Sequence, residues 1–182
     1  MQARRTLLAA GLTTLVGASL YAGHVSATPQ TPGGVQTTIL AKSTLADLHL
    51  TRADPVPGEA TGARAAGSDS ARVWHLMLLT HGMTDAYVVD NKFAVGADTG
   101  WHSHPGPSIV FVVAGTMTNY TSDSPGCAPQ VYPAGSSFVD AGGSDAHLLR
   151  NEGSVPAETI AFQMIPKDAT RRIDEPAPAT CQ

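Results

Sequence analysis

Cysteine is nearly absent from this chain: its 182 residues include only Cys127 and Cys181. That excludes a disulfide-dense scaffold and any zinc site built on four thiolates. Charge is scarce as well. Asp, Glu, Lys and Arg make up 14% of residues, with 11 basic side chains against 15 acidic ones. There is no basic run and no interleaving of aromatic with basic residues, which argues against a nucleic-acid partner and against an anionic membrane surface. Long helical periodicity and internal repeats are missing too. So are a Gly-x-Ser-x-Gly elbow, a phosphate-cradling glycine loop and a His-Glu-x-x-His helix. Gly142-Gly143-Ser144 sits in a turn with no helical pattern after it.

One long apolar stretch exists, and it lies at the N-terminus. Arg4 and Arg5 precede Leu7 to Ala22, and Val25-Ser26-Ala27 offers small residues for cleavage. This pattern reads as a secretory signal covering residues 1–27, cut after Ala27. An uncleaved anchor is the rival reading, but the stretch is short for a span of about 20 residues. The order Arg4-Arg5-Thr6-Leu7-Leu8 also suits twin-arginine export, with the ordinary Sec route equally open. Cleavage leaves nine basic and 15 acidic residues, formally −6. The expected location is periplasmic or extracellular, with no stable membrane insertion afterwards. In that oxidising setting Cys127 and Cys181 are expected to bridge, pinning the tail 167–182 against the rest of the domain.

The remainder is punctuated by Gly, Pro, Asn, Asp and Ser. Val35 to Leu40 and Leu45 to Leu50 are weak strand candidates. Arg52 to Ser70, rich in Ala, Gly, Pro and Asp, reads as a long loop, so residues 28–70 are expected to be a flexible N-terminal extension and loop. Strand-like runs follow at Val73–Thr80, Ala86–Val95, Trp101–His104, Ile109–Ala114, Met117–Tyr120, Ser136–Val139, Ala146–Arg150 and Thr159–Ile165. Many short strands at close spacing predict an all-β sandwich or barrel over residues 71–166.

The chemistry concentrates in Gly96-Ala-Asp-Thr-Gly-Trp-His102-Ser-His104-Pro-Gly-Pro-Ser108, closing at Gly115. Residues i and i+2 of a strand point to one face, so His102 and His104 can offer both imidazoles to one point. His147 arrives after Pro133-Ala-Gly135 and precedes Asn151. Three neutral imidazoles on one face suit a divalent transition metal with open positions.

These residues resemble the two motifs of the cupin family. Gly96, His102, His104 and Gly115 fall on the first motif's spacing; Pro133, Gly135, His147 and Asn151 fit the second. The likeness covers roughly Val73 to Pro166. It departs in three places. Ser108 occupies the glutamate position of the first motif, Gly126 is one residue out of place, and Asp140 to Asp145 lengthen the spacer before His147. The resemblance implies a cupin-type jelly-roll β-barrel, with His102, His104 and His147 as metal ligands and no carboxylate among them. A tight hairpin is expected at Gly115 and a second turn at Pro133 to Gly135.

Other residues carry plainer readings. One of Trp74 and His75 faces inward as core or pocket wall, and His49 has no supporting context. Trp101, Phe111, Tyr120, Tyr132, Phe138 and Phe162 are expected mostly in the core, as are Met77, Met117 and Met164. Ser108 reads as filler and Asn151 as a turn-satisfying side chain. Asn119-Tyr-Thr121 matches a glycosylation pattern too short to carry weight.

Three functions stay open. The first is an exported metal-dependent, dioxygenase-type enzyme acting on a small anionic or enolate-like molecule, with Fe, Mn, Ni, Cu or Zn as the metal. The second is a non-catalytic, metal-dependent small-molecule-binding module, favoured by the sparse acid–base inventory. The third is a purely structural metal, which would want a fourth ligand. A homodimer is the default assembly. Because ligating histidines must be neutral, metal affinity is expected to fall below about pH 6.

Overall fold

The computed structural model describes residues 30–55 and 73–181. The signal reading for residues 1–27 lies outside them, as do the side chains of Trp74 and His75. Twelve strands are described: β1 Val35–Leu45, β2 His49–Pro55, β3 Val73–Leu79, β4 Thr84–Phe93, β5 His102–Ser103, β6 Ser108–Ala114, β7 Thr116–Thr121, β8 Gln130–Pro133, β9 Ser137–Asp140, β10 His147–Arg150, β11 Ala157–Pro166 and β12 Ile173–Asp174. They form a five-stranded sheet ordered β1-β4-β11-β6-β9, a second ordered β12-β5-β10-β7-β8, and a separate ribbon of β2 with β3. Every pairing is antiparallel. The result is an all-β, cupin-type jelly roll.

Alternation along β6 shows how sequence becomes a layer. Ser108, Val110 and Val112 are buried between the sheets, while Ile109, Phe111 and Val113 face out, the two-residue period of a half-buried strand. Val110 and Val112 join Val35, Phe93, Met117, Phe138, Leu149 and Ala157 in the main core.

Gly115 is a corner, not the tight hairpin its position suggests. β6 pairs with β11 and β9, whereas β7 pairs with β10 and β8, so the chain changes sheets at this residue. Its φ is +70°, and a Cβ there would lie 2.7 Å from the Ala157 Cβ. Both the backbone conformation and the contact therefore demand glycine. Pro133 to Gly135 makes the expected turn and carries β8 in the second sheet into β9 in the first.

Three expectations need correcting, two of them about boundaries. The weak strand candidate Val35 to Leu40, placed within a flexible extension, is the first part of β1, which runs on to Leu45 and pairs along β4 from Val35↔Phe93 to Leu45↔Thr84. Arg52 to Pro55, read as the start of a loop, continue β2 opposite β3. Polar and Ala-rich composition hid both continuations, because ladder hydrogen bonds are made by backbone whatever the side chain. The third concerns the core. Phe111 and Phe162 are exposed on the outer face, and Met77 is 74% exposed on the ribbon, whereas Met117 is fully buried.

The tail is built in. Asp85, wholly buried, accepts from Thr44 Oγ1 (2.6 Å), pairs with Lys42 Nζ (2.9 Å) and accepts from the Asp168 amide (3.1 Å). These contacts, led by the Thr44 hydroxyl, hold its carboxyl far below the usual carboxylate range. β12 then pairs with β5 at Ile173↔Ser103 and Asp174↔His102. The Cys127–Cys181 disulfide closes the arrangement, as expected from the composition.

Candidate metal centre

His102 and His147 are direct cross-strand partners between β5 and β10. Cross-strand partners share a face, and His104 returns to that face two residues on while Ser103 turns away to Glu175 Oε1 (2.8 Å). All three expected histidines therefore meet. Ring centroids lie 4.8 Å apart for His102 and His104, 4.2 Å for His102 and His147, and 5.3 Å for His104 and His147. One nitrogen from each ring lies within 4.8 Å of the other two. His49 and His81 are exposed elsewhere.

Two of the rings are oriented from behind. His102 Nδ1 donates to the Gly100 carbonyl (2.9 Å) and His104 Nδ1 to the Arg171 carbonyl (2.6 Å). A carbonyl can only accept, so Nδ1 carries the proton and Nε2 keeps its lone pair on both rings. Metal-ligating histidines are commonly fixed this way. Burial drives all three rings toward neutrality. His102 falls far below its ordinary value through burial and the neighbouring His147 charge. Burial lowers His104 against the opposing pull of the Arg171 carbonyl and Asp140. Burial brings His147 down to about 4, again opposed by Asp140. Neutral imidazoles with lone pairs turned to one point fit a divalent cation.

The rings line a cavity of about 110 Å³ between the sheets, room for on the order of half a dozen waters. Val110, Phe138 and Leu149 form its apolar floor. Arg171 and Arg172, from the tail, line it too. Arg172 is already engaged, donating to Asp174 Oδ1 (2.7 Å) and the Thr99 carbonyl (2.6 Å). Half-buried Arg171 donates from Nε to Gln163 Oε1 (3.2 Å) and lies 5.3 Å from the Tyr87 ring centre. Among the described residues no carboxylate pairs with it.

Sequence reasoning missed Arg171, Gln163 and Asp140 as lining residues. Only the long spacer beginning at Asp140 hinted at any of them. Ser108 lines the cavity, buried and directly across from Asp140 in the β6–β9 ladder. Asn151 takes the role expected of it. Wholly buried, it donates to the Phe93, Ala94 and Val155 carbonyls and accepts from the Gly153 amide. It fastens the end of β10 without touching the histidines. Asn119 is buried, unlike an exposed glycosylation site.

Fold and site together define a small cupin-type barrel with a three-histidine centre. No family model and no curated protein matches the chain. Solved structures similar to it include an oxalate oxidase in complex with the substrate analogue glycolate, at 25% identity and a TM-score of 0.39, over 43% of this chain and 41% of that one. An RmlC-like cupin from Methanocaldococcus jannaschii with a double-stranded β-helix fold is similar at 17% identity and a TM-score of 0.39, over 43% and 68%. A DMSP lyase structure is similar at 16% identity and a TM-score of 0.43, over 50% and 44%. This chain thus spans less than half the length of the oxalate oxidase it resembles.

Proposed function

We propose that this protein is an exported, metal-dependent cupin enzyme of the dioxygenase type acting on a small carboxylate, with His102, His104 and His147 as metal ligands. The observation that carries the reading is the convergence of three imidazole nitrogens in a cavity that Arg171 also lines. A divalent cation there would supply Lewis-acid or redox chemistry to a bound oxygen ligand. The chain's own residues do the rest. The Gly100 and Arg171 carbonyls hold two of the rings, the apolar floor limits water, and Arg171, positioned by Gln163, neutralises the substrate's charge. Arginine suits planar carboxylates because its donors match them in pairs. The cavity volume restricts the substrate to a few carbons. Export is supported by the disulfide, and no helix among the described residues is long and apolar enough to cross a membrane.

A non-catalytic binding module is the second reading. It is favoured by the shortage of proton-transfer groups: Asp140 is the one carboxylate lining the cavity among the described residues. Oxygen uptake and product formation by metal-loaded protein, offered glycolate or oxalate, separate the two. Turnover supports the enzyme. Saturable binding without turnover supports the module, and neither result removes both. Arg171→Met should weaken glycolate binding roughly 10- to 100-fold, the worth of a charged hydrogen bond, while leaving metal content and the binding of uncharged glycolamide unchanged. Equal glycolate affinity in variant and parent would refute the anchor.

A further inference from the structure

We infer that Asp140 supplies a fourth, anionic donor to the three-histidine centre, taking over the task of the carboxylate that Ser108 replaces. The inference rests on the proposed metal site and adds a ligand to it.

Four observations carry it. The Asp140 side chain is about nine-tenths buried, and its Oδ2 has no hydrogen-bond partner. That orphaned oxygen lies 3.8 Å from His104 Nε2, the nitrogen whose lone pair is free. The other oxygen, Oδ1, is fixed by the Gly142 amide (3.0 Å) and lies 3.8 Å from His147 Nδ1. Finally, Asp140 is the register partner of Ser108 across β6 and β9, so the two side chains share one face of the ladder.

A buried carboxylate oxygen without a partner is costly unless a cation or donor meets it. His104 cannot play that part, because its one proton is on Nδ1 toward the Arg171 carbonyl and the Nε2 facing Oδ2 carries only a lone pair. Among the described residues no Lys or Arg pairs with Asp140. A divalent cation held by the three rings would satisfy Oδ2. Donors sharing such a cation sit about 3.0–3.5 Å apart at bond lengths near 2.1 Å, so the 3.8 Å between Oδ2 and His104 Nε2 needs little closure, while the ring nitrogens, within 4.8 Å of one another, draw together further on binding.

The lengthened spacer now has a physical reason. Gly142 has φ +72°, and a Cβ there would lie 2.4 Å from the Gly106 carbonyl oxygen. The next amide, Gly143, donates to the His104 carbonyl (2.8 Å). The glycine turn clamps the end of β9 onto the His104 segment and aims the Asp140 carboxylate inward. Residue 108 is serine, and the acid stands instead on the neighbouring strand, on the same face.

The test uses Zn²⁺ alone as probe on the purified full chain, with chelator competition for affinity and X-ray absorption or a crystal structure for coordination. Asp140→Ala should weaken Zn²⁺ binding about 10- to 100-fold, and Ser108→Glu added to it should restore most of that loss. The parent should show one carboxylate oxygen at about 2.0–2.2 Å from zinc, a contact that a residue merely steadying His147 would not make. Asp140→Ala with parental affinity overturns the inference, and so does an Asp140 oxygen beyond bonding distance in the zinc-loaded parent. A parent that takes up no Zn²⁺ at all refutes instead the metal site beneath it.

Discussion

A buried imidazole resists its proton, and that sets how this protein should answer to acid. Unfolded histidines titrate near 6.5, while burial holds His147 at about 4 and His102 lower still. Between those values the unfolded chain binds more protons than the folded one, so stability rises with pH across the window. The contribution is complete above about pH 6.5 and is lost as the pH falls toward 4. The melting temperature of the metal-free protein should therefore drop steadily from pH 7 to pH 4; a flat profile would contradict the assignment. The loss of metal expected from sequence below about pH 6 should also move down toward 4. At the same scale, His147→Ala should remove most bound metal while exposed His49→Ala should not, and elemental analysis of both variants decides it. The three rings were legible because two-residue spacing and bounding glycines survive in one dimension. Asp140 was not, since its place opposite Ser108 depends on strand register, which a single sequence does not carry.

Elements were legible in proportion to how strongly they alternate. β4, β6, β7, β9, β10 and β11 fall within a residue or two of the apolar runs that forecast them. β1 was cut short at Leu40, where the ladder with β4 shifts register between Ile39 and Ala41 before continuing. β12 was invisible because two residues in a charged, Pro-containing tail carry no period. Gly115 misled in the other direction: a glycine between two strand runs resembles a hairpin, and only the pairing partners reveal a change of sheet. Two substitutions test this reading of the core. Met117→Ala removes a wholly buried side chain and should destabilise the fold by about 2–5 kcal/mol. Met77→Ala, on the exposed ribbon, should stay within about 0.5 kcal/mol. Denaturant titration measures both, and equal effects would show that the core is misassigned.

At the scale of the whole molecule, the tail completes the site. Its Arg171 carbonyl orients His104, Arg171 lines the cavity, β12 edges β5, and the Cys127–Cys181 bridge ties its end to the loop after β7. Replacing both cysteines with serine should cost about 4 kcal/mol in the chain-entropy picture for a loop of this length. It should also speed release of bound metal by freeing the His104 acceptor. A lower melting temperature with unchanged release would confine the bridge to a structural part. The most direct measurement for the whole account is metal content per chain of the purified protein before any chelating step, beside the His102→Ala/His104→Ala/His147→Ala variant treated alike. The account predicts close to one transition-metal ion per chain in the parent and almost none in the variant. A metal-free parent, or a variant that keeps its metal, would contradict it.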